Sequence, residues 1–303
     1  MVASKKTKKI LLVGLTFWIH LIAERLKEFT FTTIDYYDWW NMSMKERIKL
    51  IDQHRIVHYM WGHYNIKEFF YIRLKKKKVY THYMGSDVLR AKKFKKNPWW
   101  CAKLANNTFC DSPNLQTELA DMGIKAIVLP NPVPHLVFGL PPFPRQNRVL
   151  AYINQINENF YHINDVEYIA KASPEWIFHI VGHDGRGRKP MKNLQYFGHV
   201  DRHVITHLIK DSKVYLRLTD HDATGKMALE AMAQGRYVIR NMQWPHTIYT
   251  LNNEEVIAAL KKLAVEKRLN ITAHEYIKRE WCDEITFGRF VKLYRETNSL
   301  NFL

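Results

Sequence analysis

The stretch RLTDHDATGKMALEAMAQGRYVIRN, residues 217–241, sets the pattern from which the fold is predicted. A strand that ends at Thr219 is followed by a polar loop, and Gly225 opens a helix rich in alanine, leucine and methionine. Gly235 ends that helix, and the run YVI begins another strand. A strand, a helix and a strand in this order predict parallel strands joined by a helical crossover.

The same alternation extends from this stretch in both directions. In the second half, further strands are predicted at RVLAYI (148–153), EWIFHIVG (175–182), LQYFGHV (194–200) and KVYLRLT (213–219). In the first half, strands are predicted at KILLVG (9–14), RIVHYMWG (55–62), KVYTHYM (78–84), NTFCDS (107–112) and AIVLPNPV (126–133). Helical stretches separate them, and two helices close the chain at 253–267 and about 272–296. This order predicts an α/β fold of mostly parallel sheets with helices on both faces.

Length and a proline-rich segment divide the chain into two α/β domains. Its 303 residues suit two domains of roughly 150 residues each. Six prolines lie between Pro130 and Pro144, and proline removes a backbone donor, so neither a helix nor a central strand runs through this segment. We expect a first domain at 1–135, a linker at 136–147 and a second domain at 148–283. The closing helix at 284–303 is expected to return to the first domain.

Composition favours an anionic partner and a reducing compartment. Lys and Arg number 46 against 29 Asp and Glu, a formal net charge of +17, which favours nucleic acid, an anionic membrane or phosphorylated small molecules. The alternative is a surface that is merely rich in lysine. Three widely spaced cysteines indicate neither a disulfide framework nor a zinc site, and no apolar run reaches the roughly 18 residues of a membrane span. These features predict a cytoplasmic protein.

The loop and helix start at 219–230 have the chemistry of a phosphate site. Ligands of open α/β sheets bind at the carboxyl ends of strands, where a helix N-terminus presents free N–H groups. Gly225 permits close approach of the backbone, and Lys226 adds positive charge at the same place. Glu230, one turn into the helix, is placed to accept hydrogen bonds from two ribose hydroxyls. The alternative is an ordinary strand, loop and helix with a surface glutamate.

This segment resembles the donor-site signature of retaining glycosyltransferases of the GT-B fold, family 4 in particular. That signature has an acidic residue, seven further residues, a Glu, then Ala-Met-Ala and a Gly before a strand. Here Asp222 is followed after seven residues by Glu230, and AMAQG and RYVI come next. VYTHYMGSD, FCDSPNLQTELADMGI, IVLPNPV, WIFHIVGHDG and YFGHV also match in order, so the resemblance covers about residues 9–290. It implies two Rossmann-like domains with parallel sheets that face each other across a cleft.

The resemblance also implies roles for individual residues. The catalytic candidates are His82, Asp222 and Glu230, of which Glu230 would hold the ribose, Asp222 would face the transferred sugar and His82 would reach the cleft from the first domain. The donor-binding residues would be Gly198, His199, Arg217, Ala223, Thr224, Gly225, Lys226 and Glu230. Gly198 and His199 would border the base. The N–H groups around Gly225 and Lys226 would bind the diphosphate.

Two departures from the family pattern affect the donor site. The family usually has Glu where Asp222 stands, and a Gly-aromatic-Pro run where ATGK stands at 223–226. It also carries a Lys, often with an Arg, after the first strand of the second domain, whereas that loop here is NQINENFYHIND. Lys226 or Arg217 would then neutralise the diphosphate, or Asn154 and His162 would give neutral hydrogen bonds.

Metal binding is not expected from the acidic and histidine residues. Asp220-His221-Asp222 spells a D-x-D, the metal–diphosphate motif of a different glycosyltransferase fold, but it follows a strand of a parallel pattern instead of a mixed sheet. His203 and His207 share one face of a predicted helix, where a surface or packing role is favoured over a ligand role. We expect no metal and no cofactor.

Segment 90–103, RAKKFKKNPWWCAK, interleaves cations with aromatic rings. Its lysines and tryptophans include Lys92, Lys93, Lys95, Lys96, Trp99 and Trp100. Rings at headgroup depth and lysines against anionic lipid are typical of a membrane interface. The same composition suits nucleic acid, or a solvated helix whose rings pack inward. The segment is assigned to the membrane or acceptor side.

Together these patterns predict a glycosyltransferase, specifically a hexosyltransferase. A UDP- or GDP-linked sugar bound by the second domain would be transferred, with retention and without a metal, to a lipid-linked or other glycan acceptor. The enzyme would be cytoplasmic and peripheral on the inner face of the membrane. The alternatives are a nucleic-acid-modifying glycosyltransferase, suggested by the charge, and a non-catalytic sugar-nucleotide-binding protein, suggested by the altered loop after the first strand of the second domain.

Overall fold

The computed structural model describes residues 9–29, 33–62, 65–94, 96–133 and 136–299, and it divides into two compact units. The first unit contains the described residues up to 133 together with the last helix, and the second contains residues 136–282. Each unit holds one six-stranded sheet in which all named strand pairs are parallel. The predicted fold class of two Rossmann-like α/β domains is confirmed.

The first unit has the strand order β2-β1-β3-β4-β5-β6. Its strands are β1 (Ile10–Gly14), β2 (Ile34–Tyr36), β3 (Ile56–Met60), β4 (Lys78–Tyr83), β5 (Asn107–Cys110) and β6 (Ile127–Val128). Its helices are α1 (Thr16–Phe29), α2 (Met44–Gln53), α3 (Ile66–Leu74), α4 (Ser86–Phe94), α5 (Lys96–Leu104), α6 (Pro113–Asp121) and the last helix of the chain, α12 (Asp283–Ser299). A short 3-10 helix lies at Trp39–Asn41.

Both faces of the first sheet are covered, because its buried strands alternate their side chains between two apolar clusters. Ile10 and Leu12 pack with α1 and α12, whereas Leu11 and Val13 pack with α2, α3 and α5. Such two-sided burial explains why the strands of this unit read as continuous apolar runs.

The second unit has the strand order β12-β11-β10-β7-β8-β9. Its strands are β7 (Arg148–Tyr152), β8 (Ile177–Val181), β9 (Leu194–Tyr196), β10 (Val214–Arg217), β11 (Tyr237–Arg240) and β12 (Ile248–Tyr249). Its helices are α7 (Ile163–Ala172), α8 (Arg202–Asp211), α9 (Lys226–Ala233), α10 (Asn253–Ala264) and α11 (Ile271–Trp281), with a 3-10 helix at Gln155–Tyr161. Helices α7 and α10 contact each other, and α9 contacts α8 and α11.

The winding of the second sheet creates its natural ligand position. The chain runs from β7 outward to β8 and β9, then returns to place β10 on the other side of β7. At such a reversal the connections after the two central strands leave in opposite directions, which opens a crevice at their carboxyl ends. The loops after β7 and β10 therefore line the position where a ligand of this sheet is expected.

The end of the chain differs from the prediction. The single helix expected at about 272–296 is two helices, α11 and α12, separated at Cys282, whose backbone is extended with φ −61° and ψ 157°. Asp283 and Glu284 then occupy the first turn of α12, where negative charge favours a helix start. None of the described helices is long and apolar enough to cross a membrane.

Candidate functional site

The loops that follow β7 and β10 meet at the crevice of the second sheet. The N–H of Asp220 donates to the carbonyl of Phe160 at 3.1 Å, and Nε2 of His162 lies 2.9 Å from Oδ1 of Asp220. The guanidinium of Arg217, at the end of β10, lies 5.3 Å from the ring centre of Tyr161. These contacts bring the predicted donor loop against the loop that lacks the family's usual lysine.

A buried cluster of two arginines and one aspartate forms the centre of this site. Asp222 is only 8% exposed, and Nε and Nη2 of Arg217 lie 3.1 and 3.0 Å from its two carboxylate oxygens. Arg240, at the end of β11, donates from Nη2 to Oδ2 of Asp222 at 2.8 Å. Both oxygens of Asp222 are thus engaged by arginine, and the cluster holds one positive charge in excess.

Burial and charge oppose each other in this cluster. Burial alone would raise the pKa of Asp222, but Arg217 and Arg240 outweigh it and lower that pKa below its usual 3.8. Burial also lowers the pKa of Arg240 below its ordinary value. Nε and Nη1 of Arg240 are buried and have no hydrogen-bond partner among the described residues. Because a buried cation with unpaired N–H groups is costly, an anion that reaches it would be stabilised.

Gly225 allows the backbone of the loop to pass close to Asp222 in this cluster. It has a left-handed backbone with φ 64°, and a Cβ added there would lie 2.9 Å from Oδ2 of Asp222. As the N-cap residue of α9 it offers no side chain to the first N–H groups of the helix. The ammonium of Lys226 lies 5.7 Å from the ring centre of Trp281, while the neighbouring Ala223 and Thr224 are buried. The start of α9 and the arginine cluster therefore adjoin, and both favour an anion.

Glu230 is buried in α9 and paired with an arginine that the sequence did not single out. Glu230 is 4% exposed, and the guanidinium of Arg202, the first residue of α8, contacts its carboxylate. Burial raises the pKa of Glu230, and Arg202 offsets part of the rise. Arg202 itself is about one-third exposed, so the buried carboxylate of Glu230 is paired with a cation that contacts solvent. Only the tertiary packing of α8 beside α9 reveals this pair.

Asn154 and His162, the two neutral donors considered for the diphosphate, lie in the loop after β7. Oδ1 of Asn154 accepts from the N–H of Ile156 at 2.9 Å, and His162 lies between Asp220 and Asp165, with Nδ1 2.8 Å from Oδ2 of Asp165. His162 is thus held between two carboxylates, whereas Nδ2 of Asn154 has, among the described residues, only a 3.5 Å contact with the Tyr152 hydroxyl oxygen and keeps its capacity to donate. A cavity of about 300 Å³ lies beyond His162 at the same edge, lined also by Leu218 and Asn241.

Gly198 and His199 follow β9 at the same carboxyl edge. Gly198 is left-handed with φ 65°, and its carbonyl accepts from the N–H of Gly182 at 2.7 Å. His199 is exposed, and Nε2 of His183 lies 2.7 Å from Oε2 of Glu158 in the loop after β7. The loops after β8 and β9 are thus tied to the central crevice.

His82 lies inside the first unit, on β4, with no exposed surface. Its ring stacks on His58 with 5.6 Å between ring centres and on Phe290 of α12 with 5.9 Å. Burial, with a smaller effect of His82, lowers the pKa of His58 well below 6.5. A direct contact between His82 and a substrate would require β4 or α12 to move, so its catalytic role stays a prediction.

The carboxyl edge of the first sheet carries groups that the sequence did not assign. Trp61 follows β3 with φ 135°, an unusual conformation for a bulky residue, and its N–H donates to the carbonyl of His82 at 3.1 Å. The guanidinium of Arg90 lies 4.6 Å from the centre of its indole, and Trp40 packs edge-on at 6.1 Å. Backbone strain of this kind concentrates at functional sites.

Segment 90–103 forms parts of α4 and α5 on the first unit. Lys92 pairs with Glu118 at 2.8 Å, and Lys93 is exposed. The ammonium of Lys103 lies 3.9 Å from a ring centre of Trp99, whose neighbour Trp100 is exposed. Lys95 and the side chain of Lys96 lie outside the described residues. One ring of the pair thus packs against the protein and the other faces solvent.

The D-x-D at Asp220 to Asp222 does not assemble a cluster of metal ligands. Asp222 is held by two arginines, and Asp220 lies against His162. Within the part of the chain that the structure describes, no group of three or more His, Cys, Asp or Glu side chains could hold a metal ion.

No family model and no curated protein matches the sequence, but solved structures match it over nearly its whole length. A lipopolysaccharide outer core galactosyltransferase, WaaB, is 16% identical, with 95% of this chain and 99% of that chain covered and a TM-score of 0.68. Sucrose-phosphate synthase from Thermosynechococcus elongatus is 11% identical, covering 97% and 100% with a TM-score of 0.72. HepE of Anabaena, in complex with UDP, is 10% identical, covering 95% and 100% with a TM-score of 0.72. Such likeness shows the fold, which is GT-B, as the sequence predicted.

Proposed function

We propose that this chain is a glycosyltransferase that binds a nucleotide-sugar donor in its second unit and transfers a hexose from it. The observation that carries the proposal is the buried cluster of Arg217, Asp222 and Arg240 beside the start of α9. Its excess positive charge suits a diphosphate. Neighbours of the same fold support the choice of reaction, since one is a galactosyltransferase and another is in complex with UDP.

In this proposal the diphosphate lies among Arg240, Arg217 and the first N–H groups of α9. Asp222 acts as a positioning residue, because its carboxylate fixes both guanidiniums. When the bond between the anomeric carbon and the diphosphate breaks, negative charge grows on the leaving oxygen. Preorganised N–H groups and cations stabilise that charge without having to rearrange.

The ribose would be held by Glu230, as the family resemblance implies. Its carboxylate is paired with Arg202, so a nucleotide would compete with that ion pair. Arg202 is about one-third exposed and can regain water when it turns away, while ribose hydroxyls would donate to the buried Glu230 carboxylate in its place.

The proposal places the acceptor on the first unit and assigns the transfer a stereochemical course. A lipid-linked or other glycan acceptor would bind at the carboxyl edge of the first sheet, where Trp40, Trp61 and Arg90 offer aromatic surface and a cation. Transfer would proceed with retention and without a metal, since arginines take the place that a metal ion would otherwise fill beside the diphosphate.

The test is release of nucleoside diphosphate from UDP- and GDP-linked hexoses, with and without glycan acceptors. Arg240→Met should abolish most of the activity. Arg236→Met, which removes another fully buried arginine just before β11, is the matched control and should retain it. Equal activity in the two variants would contradict the proposed donor site.

A non-catalytic sugar-nucleotide-binding protein is the second candidate. It is favoured by the engagement of both oxygens of Asp222 by arginine, since the family usually presents an acidic residue to the sugar there. Tight nucleotide binding without release or transfer would support it. Sugar transfer to DNA in moderate salt would instead support the nucleic-acid-modifying alternative, which rests on the net charge of +17.

A further inference from the structure

Three large apolar side chains of the first unit are exposed on two adjacent helices. Phe70 and Leu74 of α3 are 60% and 68% exposed, and Trp100 of α5 is 46% exposed. Phe70 and Leu74 are four residues apart, so they lie one above the other along α3. Single exposed apolar residues are ordinary, whereas a contiguous exposed apolar patch is typical of an interaction surface. We call these three side chains the outer patch.

The packing of α3 and α5 places the outer patch on one side of the first unit. The two helices contact each other and cover the same face of the sheet. Phe69 and Ile72 of α3 and Cys101 of α5 are fully buried against that face. The exposed side chains project from the opposite sides of the same helices, so they point outward together.

Exposed cations accompany the outer patch along both helices. They are Lys67, Arg73, Lys75, Lys76 and Lys103. Lysines near helix C-termini are favoured by the helix dipole, which accounts for Lys75, Lys76 and Lys103. The dipole gives no reason for Phe70 and Leu74 to be exposed beside them. Asp52 is a nearby acid, and its carboxylate accepts a hydrogen bond from the Tyr71 hydroxyl at 2.9 Å.

We propose that the outer patch and its cations form a docking surface for a membrane rich in anionic lipid. Long lysine and arginine stems let the charged groups reach lipid phosphates while apolar neighbours enter the acyl boundary. Tryptophan prefers headgroup depth, where Trp100 would lie. A groove of another protein would take Phe70 and Leu74 but would have to desolvate the surrounding lysines, whereas lipid phosphates pair with them.

This surface goes beyond the proposed function, because it requires neither donor nor acceptor. It shares Trp100 and Lys103 with segment 90–103, which the sequence assigned to the membrane or acceptor side, and adds the exposed residues of α3. Helices between parallel strands run antiparallel to them, so the end of α3 and the Lys75–Lys76 turn lie toward the amino edge of the first sheet. The outer patch therefore does not include the carboxyl edge with Trp40 and Trp61, where the acceptor is proposed to bind.

Co-sedimentation of the whole chain with vesicles of equal parts phosphatidylglycerol and phosphatidylcholine tests this proposal. The wild-type chain should sediment at low salt, release at high salt and remain in solution with pure phosphatidylcholine. Phe70→Ser combined with Leu74→Ser should weaken binding by about tenfold or more. Val265→Ser, at a site 79% exposed in the second unit, is the matched control and should bind as wild type does.

A charge variant and two further measurements distinguish loss of membrane docking from misfolding and from failure of nucleotide binding. Lys75→Ser with Lys76→Ser should lower both binding and its salt dependence. Circular dichroism should stay unchanged in every variant, which separates lost docking from misfolding. UDP titration reports separately on the proposed function, so its failure in wild type would leave the membrane result intact. Absence of sedimentation at low salt, unchanged binding by the Phe70 and Leu74 variant, or a dimer that depends on those two residues without vesicle binding would overturn the proposal.

Discussion

Replacing Arg240 with methionine is expected to change stability and ligand binding in opposite directions. Arg240 is fully buried, it donates to Asp222 at 2.8 Å, and its Nε and Nη1 have no partner among the described residues. After the replacement, Arg217 alone balances Asp222 through hydrogen bonds of 3.0 and 3.1 Å. The variant thus exchanges a buried excess cation for an apolar side chain of similar length.

The magnitudes follow from the contacts that are lost. Replacing a whole buried ion pair by apolar side chains of similar volume is often neutral or stabilising by about 1–4 kcal/mol, whereas leaving one buried charge unpaired costs about 3–5 kcal/mol. Arg240→Met removes the excess cation and leaves Asp222 paired with Arg217 through two hydrogen bonds, so the neutral to slightly stabilising case applies. A diphosphate, in contrast, loses hydrogen bonds from a charged donor, which costs about 1.5–3 kcal/mol. That loss corresponds to a rise in Kd of roughly tenfold to 150-fold.

Urea unfolding and calorimetric titration with UDP, GDP and the matching nucleosides measure the two effects. Arg236→Met provides the control, because Arg236 is also fully buried and donates to the carbonyls of Pro142 and Lys210. Burial lowers the pKa of Arg236 to about 10. Because the hydrogen bonds of Arg236 go to carbonyls outside the cluster around Asp222, the control should keep nucleotide affinity. Lower stability of Arg240→Met together with unchanged diphosphate affinity would refute the reasoning.

Three further changes test the neighbouring groups. Glu230→Ala should weaken nucleotide binding by about 1.5–3 kcal/mol in calorimetry, equally for uridine and UDP. Because burial raises the pKa of Glu230 above its usual 4.5, wild-type affinity should also fall as the pH is lowered through that raised pKa, and a pH-independent affinity would count against the ribose contact. Gly225→Ala should lower stability in urea unfolding by about 1 kcal/mol or more, since φ is 64° and the new Cβ would crowd Asp222. Lys226→Ala should weaken binding of UDP more than of uridine, and equal losses would argue against a diphosphate contact.

Much of the fold was predictable because buried parallel strands consist of short runs of apolar and β-branched residues. β3 and β4 lie within the predicted RIVHYMWG and KVYTHYM stretches. The helical pattern of residues 272–296 does not show the break at Cys282, although the closing helix expected at 284–303 begins close to the observed start of α12 at Asp283. The extended backbone of Cys282 depends on α11 belonging to the second unit and α12 to the first.

The candidate site was predictable only where a local pattern carries the chemistry. A glycine at a helix start and a glutamate one turn later identified Gly225 and Glu230. Arg202 and Arg240 left no such signal, because their contacts with Glu230 and Asp222 require α8 to pack on α9 and β11 to pair with β10. The burial of His82 likewise depends on α12, a helix from the far end of the chain.

Calorimetric titration of the whole wild-type chain and of Arg240→Met with UDP and GDP tests the central claim most directly. At least one of these diphosphates should bind the wild-type chain and bind Arg240→Met roughly tenfold to 150-fold more weakly. Absence of binding of either diphosphate to the wild-type chain, or equal affinity for the two proteins, would contradict it.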